Sequence, residues 1–109
     1  MMSTQPSTHR PEGGWEQQLI ADYYDYRWHG TLKPLCEWLR RWKDGTLTHA
    51  EMDAVLEDTH RKLCEIRSLF SQTPDRLVLL IQALDREWFE AWAKDHAPPP
   101  HARLIPSTE

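Results

Sequence analysis

The sequence predicts an all-α fold: a small antiparallel bundle of three or four helices with extended, proline-rich tails. Three observations predict it. Apolar residues recur at spacings of three and four, and no segment alternates apolar and polar residues as a half-buried strand does. Six of the eight prolines lie outside residues 15–96. Because proline lacks the N–H that a helix interior needs, this distribution leaves the middle of the chain free to form helices.

The length of 109 residues predicts a single helical domain at 15–96, between a flexible tail at 1–14 and a Pro-rich tail at 97–109. The longest apolar run is Leu77 to Ile81, and the first residues are polar. We therefore expect no membrane span and no signal peptide, and a cytoplasmic location. The two cysteines are expected to be reduced thiols.

The first two predicted helices share one stretch of chain. Residues 15–29 carry apolar side chains on one face, and Gly30 follows as a candidate left-handed C-cap. Thr31 is then a candidate N-cap of a second helix with Pro34 in its first turn, which Gly45 ends. The sequence leaves open whether these are two helices or one kinked helix.

Two further helices begin at clear local signals. Thr48 and Glu51 fit a capping box, and the helix that follows is predicted to reach Phe70. Thr73 and Pro74 fit the N-cap and first position of the last helix, which the Pro98 to Pro100 run stops. The apolar arc of this last helix is wider than one neighbouring helix covers.

Some aromatic and apolar side chains exceed what one core can hold. Within the run from Asp22 to Trp28, Tyr24 and Trp28 point away from the predicted buried stripe, and Leu79 and Phe89 widen the face of the last helix. Large aromatic side chains anchor protein interfaces. We therefore predict a non-enzymatic protein–protein interaction module or small accessory subunit that forms a homodimer or a larger complex. The alternatives are isolated surface aromatics or a tail that folds over them.

A metal site is the second hypothesis. Asp53, Glu57, His60 and Cys64 share one flank of the third predicted helix. These are ligand types for zinc, and Glu57-x-x-His60 is half of the motif of di-iron bundles, so a second copy of the chain would have to complete the site. The alternative is a solvated helix flank that binds no metal and carries ordinary i,i+4 ion pairs.

Catalysis and nucleic-acid binding receive little support. Neither cysteine begins a helix, and the four glycines form no phosphate-binding loop, so we expect no enzyme, no catalytic residue and no cofactor besides the alternative zinc or iron. The cations around Trp38 and Trp42 resemble a nucleic-acid surface in composition. The chain nevertheless carries 13 basic against 17 acidic residues, a net charge of −4, which opposes binding to a polyanion.

Overall fold

The computed structural model describes residues 14–106, and within them the chain forms four α-helices and no strand. The helices are α1 (Gly14–Lys43), α2 (His49–Leu69), α3 (Pro74–Leu84) and α4 (Arg86–Asp95). The predicted all-α class is confirmed. Gly14 is the first residue of α1, and the rest of the predicted N-terminal tail lies outside the described residues.

The described residues form two compact units. Within the described residues, the terminal unit comprises 14–23 and 72–106, and the hairpin unit comprises 24–71. The boundary lies inside α1, between Tyr23 and Tyr24. This division explains the crowded aromatic run. Tyr23 is buried and its ring lies 4.9 Å from that of Trp88 in the terminal unit, whereas the ring of Tyr24 lies 4.9 Å from that of Phe70 in the hairpin unit.

The first two predicted helices are one helix. α1 continues through Gly30, Thr31 and Pro34, so the predicted C-cap at Gly30 and N-cap at Thr31 are wrong. A glycine inside a helix costs about 1 kcal/mol and a proline about 3 kcal/mol. Both costs are local, whereas helix formation is cooperative along the whole segment and is stabilised by packing. Cap signals in a sequence do not report either of these two effects.

The last predicted helix is instead two. α3 ends and α4 begins at Asp85, whose φ of −142° and ψ of 62° are not helical. Asp85 N–H still donates to Ile81 O, and Phe89 N–H donates to Asp85 O, so both backbone groups of Asp85 are hydrogen-bonded. The break changes the register between the two apolar faces. A helical wheel drawn across both helices therefore misplaces the residues after Asp85.

The terminal unit has an aromatic core in which the polar atoms find partners. The Trp92 indole stacks on the His96 ring, with ring centroids 4.3 Å apart. The centroid of the Trp92 indole lies 5.4 Å from the centroid of the Trp15 indole. Trp92 Nε1 donates to Asp22 at 2.8 Å, and Trp15 Nε1 donates to the His96 carbonyl at 2.7 Å. The buried apolar residues of this unit are Leu19, Tyr23, Leu77, Val78, Ile81, Phe89 and Trp92.

The hairpin unit turns tightly between α1 and α2. Gly45 adopts the left-handed conformation at φ 83°, and its N–H donates to Trp42 O, so Gly45 ends the helix as predicted. Thr48 then caps α2: its Oγ1 accepts from Glu51 N–H at 3.1 Å, and its own N–H donates to Glu51 Oε1 at 2.9 Å. The predicted capping box is confirmed.

The two helical arms of this unit, which are the part of α1 after Tyr23 and the whole of α2, run antiparallel. Trp42 Nε1 donates to His49 Nδ1 at 2.9 Å beside the turn, and Tyr24 meets Phe70 at the far end. The core between the arms is small: its buried apolar residues are Leu47, Met52 and Ile66. Leu39, Trp42 and Leu56 are exposed, because each arm has only one neighbouring helix within this unit.

Candidate functional site

Two of the predicted partner-binding residues form an aromatic cluster in the hairpin unit. Tyr24 is 42% exposed, and its ring lies 6.0 Å from that of Trp28 and 4.9 Å from that of Phe70. Trp28 is only partly exposed. Its Nε1 is buried and has no hydrogen-bond acceptor within the described residues. Within the cluster, Tyr24 is therefore more exposed to solvent than Trp28.

The other two predicted residues separate. Leu79 on α3 is exposed, as expected. Phe89 is only 5% exposed, so the prediction that it belongs to an outer face is wrong. The non-helical backbone at Asp85 redirects α4, and the Phe89 ring packs edge-on against Trp15 at 6.2 Å. Of the four residues, Tyr24 and Leu79 are thus exposed, Trp28 is partly exposed and Phe89 is buried.

Further apolar side chains lie on the surface of the hairpin unit. Beside Tyr24, the large exposed side chains here are Tyr26, Leu39, Trp42 and Leu56, at 38 to 46% exposure. The 3.6-residue period identifies the apolar face of a helix correctly but does not show how many neighbours cover that face.

The predicted metal ligands lie on the solvent side of α2, and two of them are in contact. His60 Nε2 lies 3.5 Å from Cys64 Sγ, and both side chains are exposed. Asp53 and Glu57 are also exposed. Between residues 14 and 106, no group of three or more His, Cys, Asp or Glu side chains is arranged to hold a metal ion. One chain therefore offers a pair of ligands.

The cations around Trp38 are engaged with their own helix. The Arg41 guanidinium lies over the Trp38 ring, 5.0 Å from its centroid, and Arg40 pairs with Glu37 one turn before it. The α2 flank beside His60 is likewise paired, since Asp58 bonds both Arg61 and Lys62. The Lys62 ammonium is the main reason that the pKa of Asp58 lies below its ordinary value.

Sequence reasoning missed a polar site in the terminal unit. Gln82 on α3 is 1% exposed, and its amide binds the backbone of residues 103 and 105 in the C-terminal segment. Arg103 in that segment pairs with Asp75 and Glu16. A single glutamine inside an apolar helix face is the available sequence signal, because a buried amide needs partners.

Comparison with protein-family models, with curated proteins and with solved structures finds no match to this chain. Among residues 14–106, no helix is both long and apolar enough to cross a membrane. Any functional conclusion therefore rests on the surfaces described above.

Proposed function

We propose that this protein is a non-enzymatic protein–protein interaction module whose hairpin unit associates with the hairpin unit of a second copy, giving a homodimer. One observation carries the proposal. The hairpin unit leaves five large apolar side chains 38 to 46% exposed and buries three apolar residues. A two-helix layer covers each helix on one side only, so a further helical layer is needed to close a core.

The exposed leucines of the two arms fall on one side of the hairpin. Leu39 lies about 60° around α1 from Trp42, and Leu56 lies about 40° around α2 from Met52, in the same rotational sense. Trp42, which bonds His49 across the turn, and the buried Met52 mark the faces where the two helices contact each other. In an antiparallel pair of right-handed helices, rotation in the same sense from these two faces leads to the same side of the pair. Leu39 and Leu56 thus flank one surface, which we call the leucine side.

A second hairpin laid on the leucine side gives four helices around one core, a common packing of antiparallel helices. Burial of apolar area drives the association, at about 25 cal/mol per Å² before the costs of immobilisation. Exposed Asp53 and Glu57 lie farther around the same flank of α2, where their charges favour one orientation of the second copy.

The test is sedimentation velocity over a dilution series with three leucine-to-glutamate variants. Leu56→Glu places a charge on the leucine side and is expected to weaken dimerisation by about a hundredfold or more. Leu84→Glu is the matched control, since Leu84 is 60% exposed in the terminal unit. Leu79→Glu tests the other predicted partner residue. An unaltered chain that is monomeric at every concentration contradicts the proposal, as does a dimer that only Leu79→Glu disrupts.

A shared metal ion is the second candidate function, and the His60–Cys64 geometry favours it. Zinc binds nitrogen at about 2.0 Å and thiolate sulfur at about 2.3 Å, so a tetrahedral ion holds the two atoms about 3.5 Å apart. Nε2 and Sγ lie 3.5 Å apart. Two copies of the chain would supply two histidines and two cysteines, a complete zinc ligand set.

Equilibrium dialysis against zinc tests this candidate. We expect one ion for every two chains, lost in His60→Ala and in Cys64→Ser. His29→Ala is the matched control, because His29 is also an exposed helical histidine but its Nδ1 lies 3.4 Å from an Asp25 carboxylate oxygen. Chains that bind no zinc, or that bind it equally well in all three variants, contradict the metal site.

A further inference from the structure

The C-terminal segment is held in the terminal unit by its backbone. Gln82 Nε2 donates to Arg103 O at 2.7 Å, and Gln82 Oε1 accepts from Ile105 N–H at 2.7 Å. Arg86 Nη1 donates to Ile105 O at 2.9 Å. Three backbone groups within three residues are thus bound by two side chains of the helical body.

The Gln82 amide binds the segment as a neighbouring strand would. In a parallel ladder, one residue donates to the carbonyl of residue i−1 and accepts from the N–H of residue i+1 of its neighbour. Gln82 contacts the carbonyl of Arg103 and the N–H of Ile105 in that pattern. Backbone recognition of this kind is the source of affinity when proteins bind extended peptides, and side-chain contacts add the specificity.

The side-chain contacts of the segment alternate. Arg103 turns toward two carboxylates, with its Nη1 3.1 Å from Asp75 and 3.6 Å from Glu16. Leu104 is exposed, and Ile105 is half-buried. The site therefore favours an arginine and, two residues later, an aliphatic side chain, with little demand on the residue between them.

The stretch that leads to this segment does not lie flat on the helices. A cavity of about 430 Å³ lies between part of this stretch and the helices, and its lining residues are Ala97, Pro99, His101, Ala102 and Arg103 together with Trp15, Glu16 and Asp75. The hydrogen bond from Ala102 N–H to Pro99 O stays within the stretch itself. The hydrogen bonds that attach the segment to the helices are thus made by residues 103–105, which follow this loop.

We propose that Gln82, Arg86, Asp75 and Glu16 form a binding site for an extended segment of a partner protein with the pattern arginine, any residue, aliphatic. The chain's own Arg103–Ile105 occupies this site and must leave before the partner segment binds. Since a tethered segment competes at an effective concentration of about millimolar, self-occupancy sets a threshold for the partner. This site is separate from the leucine side of the hairpin unit.

The test uses the full chain and a fluorescent peptide of residues 98–109. Arg103→Glu in the chain sets a carboxylate against Asp75 and Glu16, which releases the chain's own segment. Because the competing segment is gone, we expect the peptide to bind this variant about tenfold more tightly than the unaltered chain, measured by fluorescence anisotropy. The chain that carries both Arg103→Glu and Gln82→Leu is expected to lose this binding.

Two altered peptides keep the test independent of protein folding. Methylation of the Ile105 backbone nitrogen removes only the N–H that Gln82 accepts, and Arg103→Glu in the peptide removes the cation. Each is expected to weaken binding by about tenfold, the value of one charge-assisted or buried hydrogen bond. Absence of peptide binding to the Arg103→Glu chain overturns the proposal, as does binding that both altered peptides retain.

The occupant is tested in the same experiment. A chain carrying Leu56→Glu that still sediments as a dimer, and that the free peptide converts to monomer, would show that a second copy fills the site. That result would overturn the assignment to a different partner protein. Failure at the Gln82 site leaves hairpin association unaffected, because the two proposals share no residue.

Discussion

The two units contain the same number of tryptophans and use them in opposite ways. Trp15, Trp88 and Trp92 belong to the terminal unit, and Trp28, Trp38 and Trp42 belong to the hairpin unit. In the first unit Trp92 is 8% exposed, with its indole N–H on a carboxylate, whereas in the second Trp42 is 38% exposed. A tryptophan is therefore buried where several segments surround it, and it stays exposed where only one helix packs against it.

The two units also differ in how their buried polar groups are satisfied. The terminal unit satisfies its buried polar groups internally, through pairs such as Trp92 with Asp22 and Gln82 with Ile105. The hairpin unit leaves apolar area and one indole N–H without such partners within the described residues. The proposed association depends on this exposed apolar area.

Truncation of one tryptophan in each unit gives the largest expected effect. Trp92→Ala should destabilise the terminal unit by about 3–5 kcal/mol, because it opens a cavity among packed rings. It also removes the donor to Asp22. Trp42→Ala in the hairpin unit should cost clearly less, since much of that side chain already contacts water. Thermal unfolding followed by circular dichroism measures both.

Amide hydrogen exchange assigns each loss to its unit. Trp92→Ala should raise exchange in α3 and α4 first, and Trp42→Ala should raise it around the turn between α1 and α2. Equal destabilisation by the two variants would show that the difference in burial does not govern stability here.

Local chemistry allowed some features to be predicted from the sequence. The caps at Thr48 and Thr73 and the turn at Gly45 depend on a few adjacent residues, and all three are present. The predicted helix end at Gly30 is absent and the break at Asp85 was not predicted, because cooperativity and packing decide whether a helix continues. The prediction that Phe89 lies on an outer face failed for the same reason, because the direction of its side chain depends on the backbone at Asp85.

The candidate sites divide in a similar way. The His60–Cys64 pair follows from the helical period alone, so its proximity was predictable. The Gln82 site joins residues more than twenty positions apart in the sequence. Nothing in the sequence around residue 103 indicates which helix will bind it, and only the fold brings these groups together.

Loss of the α2 cap is the next smaller effect. Thr48→Ala removes the acceptor of Glu51 N–H and should destabilise the hairpin unit by about 1 kcal/mol. Thr48→Ser retains the hydroxyl and is the matched control. Hydrogen exchange of the first turn of α2 reports the local change. Equal protection in the alanine and serine variants would show that the cap contributes nothing.

Acid should act on the same cap. The Thr48 backbone N–H lowers the pKa of Glu51 from its ordinary value of 4.5, with the Thr48 hydroxyl as second cause. A carboxylate with a lowered pKa in the folded state stabilises that state above its unfolded pKa, and the contribution is lost as the pH falls through the folded value. Unfolding measured from pH 7 down to pH 3 should show Glu51→Gln losing less stability than the unaltered chain below about pH 4.5.

The smallest expected effect concerns the Trp28 indole. Its buried N–H lacks an acceptor within the described residues, and an unsatisfied donor costs about 1–3 kcal/mol. Trp28→Phe removes this cost and also some packed area, so the two changes should offset and leave stability within about 1 kcal/mol of the unaltered chain. Trp15→Phe is the matched variant in the terminal unit, and it should destabilise because it removes a donor that the His96 carbonyl accepts at 2.7 Å. Denaturant unfolding of both variants measures the difference. If Trp28→Phe were the more destabilising change, the hairpin unit would depend on that indole N–H, and the contrast between the polar satisfaction of the two units would be wrong.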